Sequence, residues 1–549
     1  MKKIAKFLIV LGMIGQLSSC DYLDIVPDER AQESDTWKTE GAVRGYLYSC
    51  YGYLPANRTF GNSYWLAEEL TAVTKELFTT FKYGYYSPVS LGFTSNTWST
   101  IWNGIHQCYM FQESLKQVSN EYVTDEMKKQ YLAESNFLIA YYHFLSMRSY
   151  GPTMIIRSVI DLETPISGFP ERSSIDEVVA FINEKLDEAM SEGGLPTTWS
   201  GKDYGRATRL AALALKSRVY LYAASPLYNG NTEMYADFRS PLDGRQLIAQ
   251  EKSQAKWEIS ATQTKYAIDE VEKAKFHLYH DADAGEPSDA KPGLPNKAQR
   301  RLRYTNIDNQ TGNNPEIIWA DTRNDDYYGI QRRCPPRQTL GGKFAGISMT
   351  NCPTLQTIEA FYTKNGLPIN KDKTFDYDER YEYISAPENC DGNNYEDLVK
   401  YANFTPSSDK VMRLCTDREP RFYAWTTYHN GYFEFGKYNN EEISADPAKR
   451  AIRIHLLRDD PHGRGNRTDQ EYSISGFGNK KGVVPSAEWN VIEYPFPLFR
   501  LAELYLNYAE ALVELDRLSE AKVYLDKVRE RAGIPSVDEA WDKYSTKKN

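Results

Sequence analysis

The 549-residue sequence is 41% hydrophobic and 26% charged, which excludes collagen-like, coiled-coil and wholly disordered architectures. Its 65 basic and 75 acidic residues leave a formal charge of −10, without the basic footprint of a nucleic-acid binder. Only one apolar run approaches membrane-helix length, so a polytopic membrane protein is excluded as well.

That run lies at the start. Lys2, Lys3 and Lys6 form a positive segment, and Phe7 to Leu17 form an apolar one of secretory-signal length. Leu17-Ser18-Ser19-Cys20 then places small residues directly before a cysteine, the pattern of a bacterial lipoprotein signal. Residues 1–19 are therefore expected to be a signal peptide, with lipidation at Cys20. More than one acyl chain there would give stable anchoring to a membrane. The plainer reading is an ordinary signal with an incidental cysteine. Six cysteines remain, at 50, 108, 334, 352, 390 and 415. They show no Cys-x-x-Cys spacing and form neither a disulfide framework nor a zinc site.

Residues 20–275 carry a string of helical patterns. After a polar tether to about residue 34, the first runs from about Asp35 to Leu54. The second spans Trp98 to Val118, and the third Met127 to Tyr150. The fourth opens at Ser174, with Glu177 completing a capping box, and stops at Gly193-Gly194. The fifth covers Ala207 to Ala224 and the sixth roughly Trp257 to Ala274. From 276 to 495, Pro, Gly, Asn and Asp recur every few residues. This stretch reads as loops and short strands, with helical periodicity scarce outside Thr354 to Tyr362. A loop region this long is usually functional. Helical pattern returns in 496–549, from Leu498 to Arg531. Tyr505, Tyr508, Ala509, Leu512, Ala521 and Leu525 match a tetratricopeptide (TPR) helix pair. The fold class expected is mainly α, with TPR-like helix pairs supporting a loop-rich region with short strands, in one structural domain.

Catalytic signatures are missing. No dinucleotide fingerprint, Walker loop, Gly-x-Ser-x-Gly or His-Glu-x-x-His is present. His277 and His280 lack a third ligand, so no metal and no cofactor is expected. Asp321, Asp325 and Asp326 sit in a polar loop, but paired carboxylates are a weak signal among 75 acidic residues.

The unusual number is 41 tyrosines. Tyrosine suits half-buried helix positions or a polar-aromatic binding surface. Two loop clusters favour the second use. Phe81 to Tyr86 supplies Tyr83, Tyr85 and Tyr86. Trp319 to Tyr328 supplies Tyr327 and Tyr328 beside Arg323 and Asn324. Flat rings cover the C–H faces of sugars while Arg and Asn bond their hydroxyls. These seven residues are the expected ligand contacts, the alternative being that the tyrosines pack under loops.

Ordered along the chain are Ser19-Cys20-Asp21-Tyr22-Leu23-Asp24, Trp98 to Cys108, Ala133-Glu134-Ser135-Asn136-Phe137-Leu138 to Tyr150-Gly151-Pro152, and Arg206-Ala207-Thr208 to Leu227-Tyr228. They continue with Asn314-Pro315-Glu316-Ile317-Ile318-Trp319, Phe361 to Pro368, Asp417-Arg418-Glu419-Pro420-Arg421-Phe422, and Arg500-Leu501-Ala502-Glu503-Leu504-Tyr505 to Arg529-Glu530-Arg531-Ala532-Gly533. In these pieces the chain resembles the SusD/RagB family of Bacteroidetes outer-membrane lipoproteins. The resemblance implies a non-catalytic, surface-exposed protein, lipid-anchored in the outer membrane. It would bind oligosaccharides, or peptides as in the RagB branch, and deliver them to a SusC-like TonB-dependent transporter. A surface glycoside hydrolase and a purely structural helical scaffold are the rival readings. One departure stands out: family members usually continue with a further helix beyond the Arg-Ala-Gly end. The final pair is therefore expected to look truncated and to leave apolar surface uncovered.

Overall fold

The computed structural model describes residues 37–55, 68–72, 84, 87, 94–161, 163–284, 297–308, 314–323, 329–336, 349–385, 410–434, 451–460, 462–465, 472–484 and 492–546. Among the described residues, and leaving aside the single turn Thr232–Tyr235, the helices before the loop-rich region are α1 (Glu40–Tyr51), α2 (Thr94–Leu115), α3 (Asp125–Tyr150), α4 (Ile175–Ala189), α5 (Arg209–Ala224) and α6 (Gln254–Lys273). Within that region lie α7 (Lys297–Ile307), α8 (Leu355–Ala360) and α9 (Pro420–Trp425). After it come α10 (Leu501–Glu514), α11 (Leu518–Ala532) and α12 (Val537–Tyr544).

The helix starts are chemically specified. Thr39, Thr124, Ser174 and Thr208 each accept a bond from an otherwise orphaned N–H of the first turn of α1, α3, α4 and α5. At α4 the capping box is complete: Ser174 Oγ accepts from Glu177 N at 3.3 Å, and Ser174 N donates to the Glu177 carboxylate at 2.7 Å. Gly533, left-handed at φ 76°, closes α11.

Each helix packs on its successor from α1 to α6, and α6 packs directly on α10, which pairs with α11. The helical stack thus continues past the loop-rich region, as the TPR-like reading requires. The main core runs through it. In α3 every side chain from Ala133 to Met147 is buried, as befits a helix with neighbours on all sides. The expected stripe of α10 faces inward, with Leu501, Leu504, Tyr505, Tyr508 and Leu512 all buried. Among the described residues no helix is long and apolar enough to cross a membrane.

The strands are short and paired in antiparallel twos: β1 (Leu70–Thr71) with β5 (Cys352–Pro353), β2 (Thr153–Met154) with β3 (Arg172–Ser173), and β4 (Ile317–Asp321) with β12 (Phe496–Arg500). β6 (Tyr383–Ser385) pairs with β7 (Lys410–Met412), β8 (Thr426–Tyr428) with β11 (Phe477–Asn479), and β9 (Tyr432–Glu434) with β10 (Ala451–Arg453). β4 and β12 join the main core through Ile318, Trp319 and Phe499, while smaller hydrophobic clusters support the pairs of the loop-rich region.

Four expectations need correction. Leu498 does not begin a helix: Phe496–Arg500 is β12, and α10 starts at Leu501. Trp319 is not a loop aromatic. It sits on β4, 2% exposed, its ring 5.8 Å from Phe499 and 5.0 Å from Phe137, and its Nε1 donates to the Gly205 carbonyl. The loop-rich region also contains the eleven-residue α7, which buries Arg300 and Arg303 alongside Leu302, Tyr304 and Ile307. The chain also continues past Gly533 into α12, which buries Ala540 and docks through Val537 N on Asp526. Beyond it, Ser545 pairs with Asp372.

The tyrosines serve the core as well as any surface. The hydroxyl of Tyr142 donates to Cys50 O at 2.6 Å, that of Tyr109 to Ile156 O at 2.7 Å, and that of Tyr51 to Glu134 at 2.6 Å. Each ring fills space while its oxygen finds a partner. Cys50, Cys108, Cys334, Cys352 and Cys415 are free and buried, while Cys20 and Cys390 lie outside the described residues.

Candidate functional site

A cavity of about 310 Å³ opens where the N-terminal segment meets the loop-rich region. Its first wall is Glu69-Leu70. β1 pairs Leu70 with Pro353, Thr354 N donates to Glu69 O at 3.0 Å, and Thr354 Oγ1 donates to Glu68 O at 2.9 Å. Thr354 is also the N-cap of α8, so the wall and the helix start are fixed together.

Thr357 and Phe361, on α8 and just past its end, form the second wall. The helix-terminal carbonyls there are held by Arg418. Its guanidinium donates to the carbonyls of Ile358, Phe361 and Leu414 at 2.6–2.7 Å. Burial lowers the Arg418 pKa to about 10, so this cation is still charged at neutral pH.

The third wall is Trp425, at the end of α9. Its Nε1 donates to Leu302 O at 3.2 Å, and its carbonyl accepts from Lys480 N at 2.8 Å. The β8–β11 ladder sets Thr426 opposite Asn479. A Cβ at Gly478 would lie 2.6 Å from Cγ2 of the branched Thr427 on the paired strand, so the close approach of the two strands favours glycine there. Lys481 follows, with Nζ 4.8 Å over the Trp425 ring. Burial, with a smaller push from Arg500 and Arg421, lowers its pKa to about 8. Two aromatic walls edged by an amide, an ammonium and a carboxylate form the kind of concave surface that orients a small polar ligand.

A second cavity, of about 300 Å³, is lined by Tyr48, Tyr51, Leu54, Lys202, Tyr204, Asp321 and Arg323. Arg323 is the one expected contact residue within the described structure. It is already engaged: Nε and one terminal nitrogen grip Asp321 at 2.9 and 2.6 Å, and the terminal nitrogens donate to Leu54 O and Pro55 O. It thus holds the backbone at Leu54 and Pro55. A third cavity of about 410 Å³ shares Tyr204 and Arg206 with the second. There Arg206 stacks on Trp199 at 4.2 Å and is bound by Glu134 and Asp203. Tyr83, Tyr85, Tyr86, Asn324, Tyr327, Tyr328 and the lipidation residue Cys20 lie outside the described residues.

Sequence reasoning missed Trp425, Phe361 and Lys481 as site residues. Phe361 and the run ending at Phe422 were visible as motif pieces, but nothing in their spacing announces a shared cavity. It also missed a grouping of His429, His455 and Asp460, whose candidate ligand atoms lie within 4.8 Å of one another. His429 Nδ1 accepts from Leu456 N at 3.1 Å, and Asp460 Oδ2 accepts from Leu457 N at 2.8 Å. An imidazole accepting at Nδ1 carries its neutral-state proton on Nε2. That tautomer serves the turn and not a cation.

With this geometry in hand, comparisons with known proteins identify the class. A family model described as the SusD family matches residues 315–549. A second, described as starch-binding associating with outer membrane, matches residues 21–221. The solved structure of BT4246 is 28% identical, with a TM-score of 0.74 over 91% of this chain and 83% of that one. A SusD-like protein from Bacteroides fragilis superposes with a TM-score of 0.65 at 19% identity, covering 92% of this chain and 81% of that one. A laminarin-binding SusD-like protein does so at 0.52 and 16% identity, covering 91% and 85%. No curated protein matches the chain in sequence. The chain belongs to the SusD/RagB family.

Proposed function

We propose that this protein is a non-catalytic surface lipoprotein of the outer membrane, anchored through Cys20, that binds oligosaccharides and delivers them to a SusC-like TonB-dependent transporter. The observation that carries the binding role is the Trp425–Phe361 cavity edged by Asn479, Lys481 and Glu69. Its aromatic faces suit the C–H faces of a sugar ring and its polar edge suits the hydroxyls. The outer-membrane description of one matching family model and the laminarin-binding neighbour support the same reading. Tyr83, Tyr85 and Tyr86, on the segment that continues from β1, would extend the platform. Tyr327, Tyr328 and Asn324, beyond the moored Arg323, would add a second one.

The test is a glycan and peptide array followed by calorimetry on the purified chain, with reducing ends assayed in parallel. Oligosaccharide binding without release of reducing ends is the expected result. Release would make the protein a hydrolase, and exclusive capture of peptides would make it a RagB-like peptide binder.

A further inference from the structure

We propose that the Trp425 cavity takes an anionic saccharide, with Lys481 as the counter-charge to a carboxylate or sulfate on a ring stacked against Trp425. This rests on the glycan-binding reading and names the ligand class for it.

The argument is one of charge compensation. An ammonium taken out of water is costly unless paired. Lys481 is only partly open to solvent, and its Nζ lies over the Trp425 face. A cation–π contact offsets only part of that cost, less than a full ion pair does in such a setting. Neighbouring cations are already satisfied. Arg421 grips Glu419 at 2.6 and 2.7 Å, and Arg500 binds Glu316 at 2.9 Å. Among the described residues no carboxylate comes within ion-pair distance of Lys481. Glu69, on the exposed wall, acts on it only at longer range. The site therefore holds one uncompensated cation beside an aromatic face and the Asn479 amide.

A neutral sugar uses the ring but leaves the ammonium as it was. An anionic one neutralises it. The formal charge of −10 repels polyanions in general, so the attraction has to be local to this cavity.

The experiment is calorimetry of the full chain, wild type against Lys481→Met, Lys481→Arg and Glu69→Gln, with three probes. These are a tetragalacturonate, a heparin tetrasaccharide and the neutral laminaritetraose. Circular dichroism confirms folding of each variant. The expected result is that one anionic probe binds wild type at least tenfold tighter than the neutral one. Lys481→Met removes that preference, Lys481→Arg restores most of it, and Glu69→Gln strengthens it. Preference for the galacturonate assigns a carboxylate, and preference for heparin a sulfate. If laminaritetraose binds as well as either anion, or if Lys481→Met leaves the preference intact, the inference is overturned while glycan binding stands. If no saccharide binds, the function reading falls with it.

Discussion

Glu316 and Arg531 are 215 positions apart in the chain, yet their carboxylate and guanidinium meet at 2.5 Å, both almost wholly buried. Arg500 donates to the same carboxylate at 2.9 Å and Tyr279 N at 2.9 Å. One glutamate thus ties the end of α11, the end of β12 and the segment after α6 to β4. Burial pulls the Arg531 pKa down, while the Glu316 charge works against that pull.

Removing one partner of such a pair strands the other charge in the core, at a cost of about 3–5 kcal/mol. Glu316→Gln should therefore lower the urea midpoint strongly, since it leaves two guanidiniums without their carboxylate. A change of less than about 1 kcal/mol would show the pair to be solvated in practice. Chemical denaturation followed by tryptophan fluorescence measures this.

Acid sensitivity has a named origin in His143. His143 lies fully buried in α3, with Nδ1 2.8 Å from Ile139 O and Nε2 accepting from Ile156 N. Burial lowers its pKa from 6.5 to about 4. The unfolded chain therefore binds a proton between those values that the folded chain refuses, and stability falls as pH drops from about 6.5 to 4. At ~1.4 kcal/mol per tenfold change in proton affinity, the loss is about 3 kcal/mol. Melting curves from pH 7 to 4 should show a slope that His143→Gln flattens. An unchanged slope in the variant would assign the acid sensitivity to other groups.

Trp425→Ala should weaken binding of whichever oligosaccharide the array finds by about thirtyfold, equivalent to about 2 kcal/mol for a central aromatic. Phe361→Ala should cost less. The exposed Tyr381, already committed to Glu359 through its hydroxyl and to Arg380 through its ring, should be near neutral. Titration calorimetry on the three variants decides. Equal affinities for all would place the platform elsewhere, with the loop tyrosines at 83, 85, 86, 327 and 328 next to be tested.

For the proposed anchor, Cys20→Ala should shift the protein from the outer-membrane fraction to the soluble one in cells lacking the transporter. Continued pelleting of that variant would remove the lipidation assignment.

Most helices were legible because apolar spacing and capping residues specify them locally, as at Ser174 and Glu177. The pieces that carried the family resemblance turn out to be charge clamps of the fold. Glu134 holds Arg206, Glu316 holds Arg500 and Arg531, and Arg418 and Glu419 secure α8 and its neighbours. They spell the scaffold and say little about the ligand. α7 escaped notice because two buried arginines, Arg300 and Arg303, interrupt its apolar pattern. The Arg303 guanidinium donates to the carbonyls of Val483 and Ala424, while Leu302, Tyr304 and Ile307 supply the apolar packing. The Trp425 cavity was illegible for a different reason. Glu69, Phe361, Trp425 and Lys481 come from four distant segments, and only the β1–β5 and β8–β11 pairings make them neighbours.

The β4–β12 ladder has a consequence for how such a protein changes over time. Phe496 lies opposite Asp321, so the chain leaves the helical frame and returns to it across a single antiparallel step, a gap of about 5 Å. Along the chain, everything between those two residues enters and leaves through this neck, and it docks on the rest through the β1–β5 pair and the Asp372–Ser545 bridge. Lengthening a segment with fixed ends costs only about 0.6 kcal/mol per doubling. Any cassette whose ends can be brought together in that way could be spliced at the neck, giving the same helical frame a different ligand appetite.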